Sequence, residues 1–97
     1  MILNEEVIQQ VWEKARITQN NDPKFWRKDS CNAWIKRVEY GNRESQYGWE
    51  IDYIDVDKPP SIENFQPLHW KNHVEKKHSQ IVCHIASKGV ENTEIDE

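Results

Sequence analysis

The sequence predicts an α+β domain, and three stretches carry that expectation. Residues 4–16 place apolar side chains at helical spacing, residues 49–54 alternate like a strand, and residues 67–77 read as a second helix carrying histidines. Ninety-seven residues are enough for one domain with a modest core, assigned to 1–88, with 89–97 as an acidic tail. Apolar residues supply only 36 % of the chain. Five tryptophans (Trp12, Trp26, Trp34, Trp49 and Trp70) extend that stock, since each buries far more area than an aliphatic side chain.

Asn4 to Arg16 is the first helix. Asn4 can cap it, Glu5 and Glu6 suit its positive end, and Lys14 and Arg16 suit the other. Val7, Val11, Trp12 and Ala15 share the face expected to meet the core. Thr18 to Lys24, TQNNDPK, is a loop by its amides and its Asp-Pro step. Between Phe25 and Tyr40 neither period is clean; the reading is a short helical turn near Lys28–Cys31 and a strand from Ala33 to about Val38. Gly41-Asn42 and Gly48 bracket a polar loop containing Arg43 and Ser45. Trp49 to Ile54 alternates and is rich in β-formers, so it is a strand, with Pro59-Pro60 beyond its end. Residues 55–63 bend towards Asn64. A helix then runs from Pro67, a favoured first-turn residue, to Lys77, with Leu68 and Val74 towards the core and Trp70 a further candidate. Ile81 to Ser87 is a last short strand, stopped by Lys88-Gly89.

The net charge of −4 lacks the basic footprint usual for nucleic-acid binding. The acids are unevenly spread, however, with four of seventeen in the segment 89–97. Lys24, Arg27, Lys28, Lys36, Arg37, Arg43, Lys71, Lys76 and Lys77 leave room for a locally basic face. Two cysteines, Cys31 and Cys83, are too few for a disulfide framework, and the expectation is reduced thiols in a cytoplasmic protein. Two acids by position 6 argue against a signal peptide, and no apolar run is long enough to span a membrane.

Chemistry concentrates between Trp49 and His78. Asp52 lies late in the predicted strand, and His69 and His73, four apart, would project from one face of the following helix. An acid on a strand facing histidines on a helix can hold a divalent ion. Imidazole and carboxylate donors suit zinc, manganese or nickel, and magnesium where carboxylate and water dominate. The plain alternative is two surface histidines on a solvated face.

The run WRKDSCNAWIKRVEYGNRESQYGWEID, followed by NFQPLHWKN, resembles the small bacterial HNH endonucleases, whose pattern reads RKD-x-C-x-AWI-x-R…YGNR-x-S…GWEIDHI…NLQPLHW-x-NN-x-x-KGD. The resemblance covers roughly residues 10–90 and implies a ββα-metal core with an N-terminal helix and additional short strands. It implies Asp52 and His73 as metal ligands and Asn64 as the asparagine that braces the loop. It leaves His69 as a second ligand, a partner to the ligands or a packing residue. DNA, with RNA as the alternative, becomes the implied partner. Arg37, Arg43, Lys76 and Lys77 become candidate phosphate contacts.

Three departures qualify the implied activity. Tyr53 stands where the family has the histidine that takes a proton from water. The glycine-containing loop after the first strand becomes DVDKPPSIE, and the NN-x-x-KGD ending becomes NHVEKKH. An ordinary phenol is about one part in a thousand ionised near neutral pH, a deficit of roughly 4 kcal/mol against a competent base. His78 and His84 are the candidates to stand in. The expectation is a divergent HNH-like domain that binds metal and nucleic acid, with phosphodiester hydrolysis weak or lost. The alternative is a catalytically dead module that binds a protein partner, which the acids Asp55 and Asp57 and the acidic tail favour.

Overall fold

The first helix, α1 (Glu5–Trp12), starts where the capping residue dictates: the Asn4 side chain accepts a hydrogen bond from the Val7 amide at 3.0 Å. It ends four residues short of the expected Arg16, because Lys14 and Ala15 turn back and Arg16 joins an antiparallel bridge with Lys28. The computed structural model describes residues 3–95. Its remaining elements are β1 (Trp26–Lys28), β2 (Trp34–Lys36), β3 (Trp49–Tyr53), β4 (Phe65–His69), α2 (Trp70–Val74), β5 (Ile85–Lys88) and β6 (Glu91–Glu94). The strands form three separate antiparallel pairs, β1–β2, β3–β4 and β5–β6, so the fold mixes short helices with short antiparallel ribbons.

One apolar cluster joins α1 to the ribbons. Ile8, Val11, Trp12 and Ala15 meet Ile35 from β2, Trp49 and Ile51 from β3, and Phe65 from β4. The Trp12 and Trp49 rings lie 5.3 Å apart, and Tyr40 packs edge-on against Trp49 at 5.0 Å. Each Trp nitrogen finds a backbone carbonyl, Pro23 for Trp12 and Arg37 for Trp49, so the polar end of each buried ring is satisfied.

Several expectations are corrected. The helical turn near Lys28 is the β1 strand followed by a turn, and the strand from Ala33 to Val38 stops at Lys36, where a 3-10 turn (Arg37–Glu39) begins. Pro67 opens no helix: it pairs with Ile51 inside β4, and the helix begins three residues later at Trp70. A two-stranded ribbon has only edge strands, where a residue without an N–H is tolerated on the outward side. The last strand lies at Ile85–Lys88 and the expected tail pairs with it as β6. Asn92 ties that strand down by accepting from the Trp34 amide (2.7 Å) and donating to the Trp34 and Gln46 carbonyls (2.9 and 2.7 Å). Finally, Cys31 and Cys83 form a disulfide, Cα atoms 5.5 Å apart, rather than two thiols.

Beneath that disulfide lies a buried carboxylate. Asp29, 1 % exposed, accepts through Oδ1 from the backbone amides of Cys31 and Ala33 (both 2.9 Å). Its Oδ2 accepts from the His69 amide (2.9 Å) and from Asn72 Nδ2 (3.1 Å). Asn72 in turn accepts from the amides of His84 and Ile85 at 2.7 and 2.8 Å. The β1–β2 turn, the β4–α2 junction and the entry to β5 thus converge on two side chains.

Asp29→Asn keeps the shape but turns one acceptor oxygen into a donor facing donors. Each stranded buried donor costs about 1–3 kcal/mol, so we expect urea titration to show a loss on the order of 3 kcal/mol. The disulfide spans 52 residues, for which loop closure predicts about 4 kcal/mol. We expect no free thiol in the denatured, unreduced protein and a lower melting temperature after reduction; two titratable thiols would disprove the pairing.

Candidate functional site

Strand β3 builds one wall. Its alternation sends Trp49, Ile51 and Tyr53 to one face and Glu50 and Asp52 to the other. Opposite Asp52 in the ladder stands Gln66, whose Nε2 donates to Asp52 Oδ2 at 2.8 Å. Helix α2 folds back over this face and delivers His73, and the turn that follows it delivers Lys76.

The resulting cluster is acidic in origin and charge-balanced in fact. Asp52 is 2 % exposed, and the Lys76 ammonium donates to both of its oxygens at 2.9 Å. The Lys76 side chain is itself 5 % exposed and also donates to the Tyr53 carbonyl. His73 turns Nε2 towards Asp52 Oδ1 at 3.7 Å, while its Nδ1 lies 2.7 Å from Glu50 Oε1. Arg43 clamps Glu50 through two further bonds, 2.7 and 2.9 Å. Burial disfavours the Glu50 charge, but the hydrogen bonds from Arg43 and His73 and their charges outweigh it and hold the carboxyl below its usual range.

Asn64 lies at the loop rather than the cluster. Its Oδ1 accepts from the Asp55 amide and its Nδ2 donates to the Asp55 carbonyl, both at 2.9 Å, closing the 55–64 bend. Tyr53 is on the strand face opposite Asp52, its ring 5.2 Å from Phe65. His78 sits 3.0 Å from Asp57 at the surface.

His69 corrects the expected histidine pair. It is the last residue of β4 and the N-cap of α2, so the two histidines do not share a helix face. Its Nδ1 accepts from the Lys71 amide at 3.1 Å, leaving Nε2–H to donate to the Gln46 carbonyl at 2.8 Å. Burial pushes its pKa below the ordinary 6.5; the Gln46 carbonyl and Asp29 oppose that, and Lys71 adds to it. His69 is a neutral, buried cap.

Of the expected phosphate contacts, three are already paired. Arg37 is held by Glu5 at 2.8 Å and Gln9 at 2.9 Å, Arg43 by Glu50 and Lys76 by Asp52; Lys77 remains exposed. Sequence reasoning missed Glu50, although its position two before Asp52 on an alternating strand places both carboxylates on one face. Gln66 and Asp29 carried no comparable signal.

The residues as arranged do not fit a divalent ion. Glu50 on Nδ1 orients the imidazole of His73 as a carboxylate orients a metal-bound imidazole, yet both Asp52 oxygens face an ammonium, which a dication would have to expel. Among the described residues no three His, Cys, Asp or Glu side chains converge as an ion's ligands.

No family model, curated protein or solved structure matches this chain. Among the described residues no helix is long and apolar enough to cross a membrane.

The pH dependence of His69 can be signed. The unfolded chain takes up its proton first, so the contribution of neutral His69 is complete above about pH 6.5 and declines as pH falls below it. We expect wild-type stability to fall more steeply between about pH 7.5 and pH 5 than that of His69→Gln, measured by urea titration. Parallel curves would remove His69 as the cause.

Proposed function

We propose that this chain is a ββα-metal-type domain of the HNH kind that binds nucleic acid and whose phosphodiester hydrolysis is weak or lost. The ribbon β3–β4 followed by α2, with Asp52 late in the first strand, Asn64 closing the loop and His73 beside Asp52, follows the order that the resemblance implies. The observation that carries the loss of hydrolysis is the Lys76 ammonium seated on both oxygens of Asp52. An ammonium offers three donors and no coordination site. It can balance a carboxylate or meet a phosphate oxygen, but it cannot ligate and acidify a water as a metal does. Tyr53, facing away from Asp52, supplies no base there.

In this reading the divalent ion of the family is displaced by an internal cation, and Asp52, Lys76, Gln66, Glu50 and His73 serve to shape the domain. The protein-partner alternative draws support from Asp55, Asp57 and Glu63 around the outer loop, which would repel phosphate.

We expect purified protein to bind DNA with a salt-sensitive affinity and to leave plasmid intact in magnesium, manganese, zinc or nickel. Lys76→Ala should lose roughly 3 kcal/mol of stability, the usual scale for orphaning one member of a buried pair. It should also gain a thermal shift with manganese or zinc that Asp52→Ala removes. Metal-dependent nicking by the wild type that vanishes in Asp52→Ala would overturn the loss of hydrolysis. Absence of DNA binding at low salt would leave the protein-partner reading.

A further inference from the structure

Next to the Asp52 cluster, on the other side of Gln66, lies an open cleft of about 510 Å³. That volume falls within the range of small-ligand sites, about 300–1,000 Å³. Its walls include Lys14, Arg16 and Lys28, with Ile54 and Pro67 supplying apolar surface. The charge arrangement is unusual for a chain of net charge −4. Arg16 and Lys28 are directly opposed in an antiparallel bridge, exchanging both backbone hydrogen bonds at 2.8 and 3.0 Å. Directly opposed residues send their side chains to the same face, and like charges there repel.

Among the described residues no carboxylate lies within ion-pair distance of Lys14, Arg16 or Lys28. Arg16 meets only the Asn32 amide oxygen, at 3.3 Å, and the Lys28 ammonium stands over the Trp34 ring at 4.5 Å. Lys14 is turned to the carbonyls of Ile62 and Phe65 at the rim. The one acid in the wall, Asp29, is buried with four donors on its two oxygens, so its charge is spent inward. By contrast Arg37, Arg43 and Lys76 each face a carboxylate.

We propose that this cleft is the phosphate-binding site of the domain, with Arg16 and Lys28 flanking one phosphate of a single-stranded nucleic acid and Ile54 meeting its sugar or base. Two unneutralised cations on one face explain why opposed like charges are placed there: the ligand relieves their repulsion. A concave site of this size takes a nucleotide or two of a single strand, whereas a duplex needs a convex element to enter its groove. The inference rests on the nucleic-acid reading above and assigns its contacts to a different face from the one implied by the resemblance.

The test is fluorescence anisotropy with a labelled single-stranded oligonucleotide of about 16 nucleotides, across a salt series. Wild type is compared with Arg16→Gln/Lys28→Gln and with a surface control of equal charge change at two exposed lysines, Lys58→Gln/Lys88→Gln. We expect the cleft variant to bind roughly tenfold more weakly at low salt, and its log–log salt slope to shrink by about 0.7, the value for one phosphate no longer neutralised. The control should retain affinity and slope. A melting temperature of the cleft variant at or above wild type would separate lost contact from lost fold. Wild-type affinity and slope in the cleft variant, or an equal loss in the control, would overturn the cleft while leaving nucleic-acid binding intact. No binding by wild type at low salt would overturn both.

Discussion

The domain depends on one buried carboxylate. Asp29 lies under the β1–β2 turn, and its two oxygens receive four donors from Cys31, Ala33, His69 and Asn72. Such a charge is tolerable inside a protein only when every lone pair is engaged, because desolvation is otherwise too costly. That requirement sets geometry. The His69 amide must meet Oδ2, which fixes where β4 stops and α2 starts. Asn72 must meet the same oxygen while it holds the His84 and Ile85 amides, which fixes where β5 enters. The Cys31–Cys83 bond fastens the same corner covalently. With so small an apolar core, this polar junction positions the second half of the chain.

The orientation of α2 in turn decides what surrounds Asp52. Because the helix begins at Trp70, His73 reaches over Glu50 and Asp52, and the turn after the helix carries Lys76 onto the carboxylate. Pairing is the rule on this side of the molecule: Glu5 with Arg37, Glu50 with Arg43 and His73, Asp52 with Lys76. Among the described residues, Lys14, Arg16 and Lys28 of the cleft beyond Gln66 face no carboxylate. A negative chain can therefore present a positive surface, since local pairing, and not the sum of charges, determines which groups remain available to a ligand.

Much of the first half of the fold was legible. Asn4 as cap, the apolar stripe of α1 and the alternation of β3 are local signals, and local hydrogen bonding decided them. The site was legible in part. Asp52 and His73 do meet, and Asn64 closes its loop, but the supposed pairing of His69 with His73 fails because Pro67 sits in a strand. A proline serves equally well at a helix start and on a ribbon edge, so its presence could not arbitrate. Nothing in the neighbours of Lys76 reveals a carboxylate twenty-four residues earlier, so its burial against Asp52 has no local signal. The same holds for the cysteines: a pair separated by 52 residues has no local signature.

The sequence by itself determined where elements begin when a side chain bonds its own neighbourhood, and which face of β3 carries the acids. Period and capping act within a few residues, so they survive without the rest of the chain. Only the tertiary structure decided how the charges are spent. Whether Asp29 is an exposed acid or a buried hub, whether Asp52 faces an ion or an ammonium, and whether Arg16 and Lys28 stand alone depend on which distant segment supplies the partner. Those partners arrive through the β3–β4 ladder, the Asp29 junction and the pairing of β6, contacts whose specificity lies in burial and long-range geometry rather than in any local pattern.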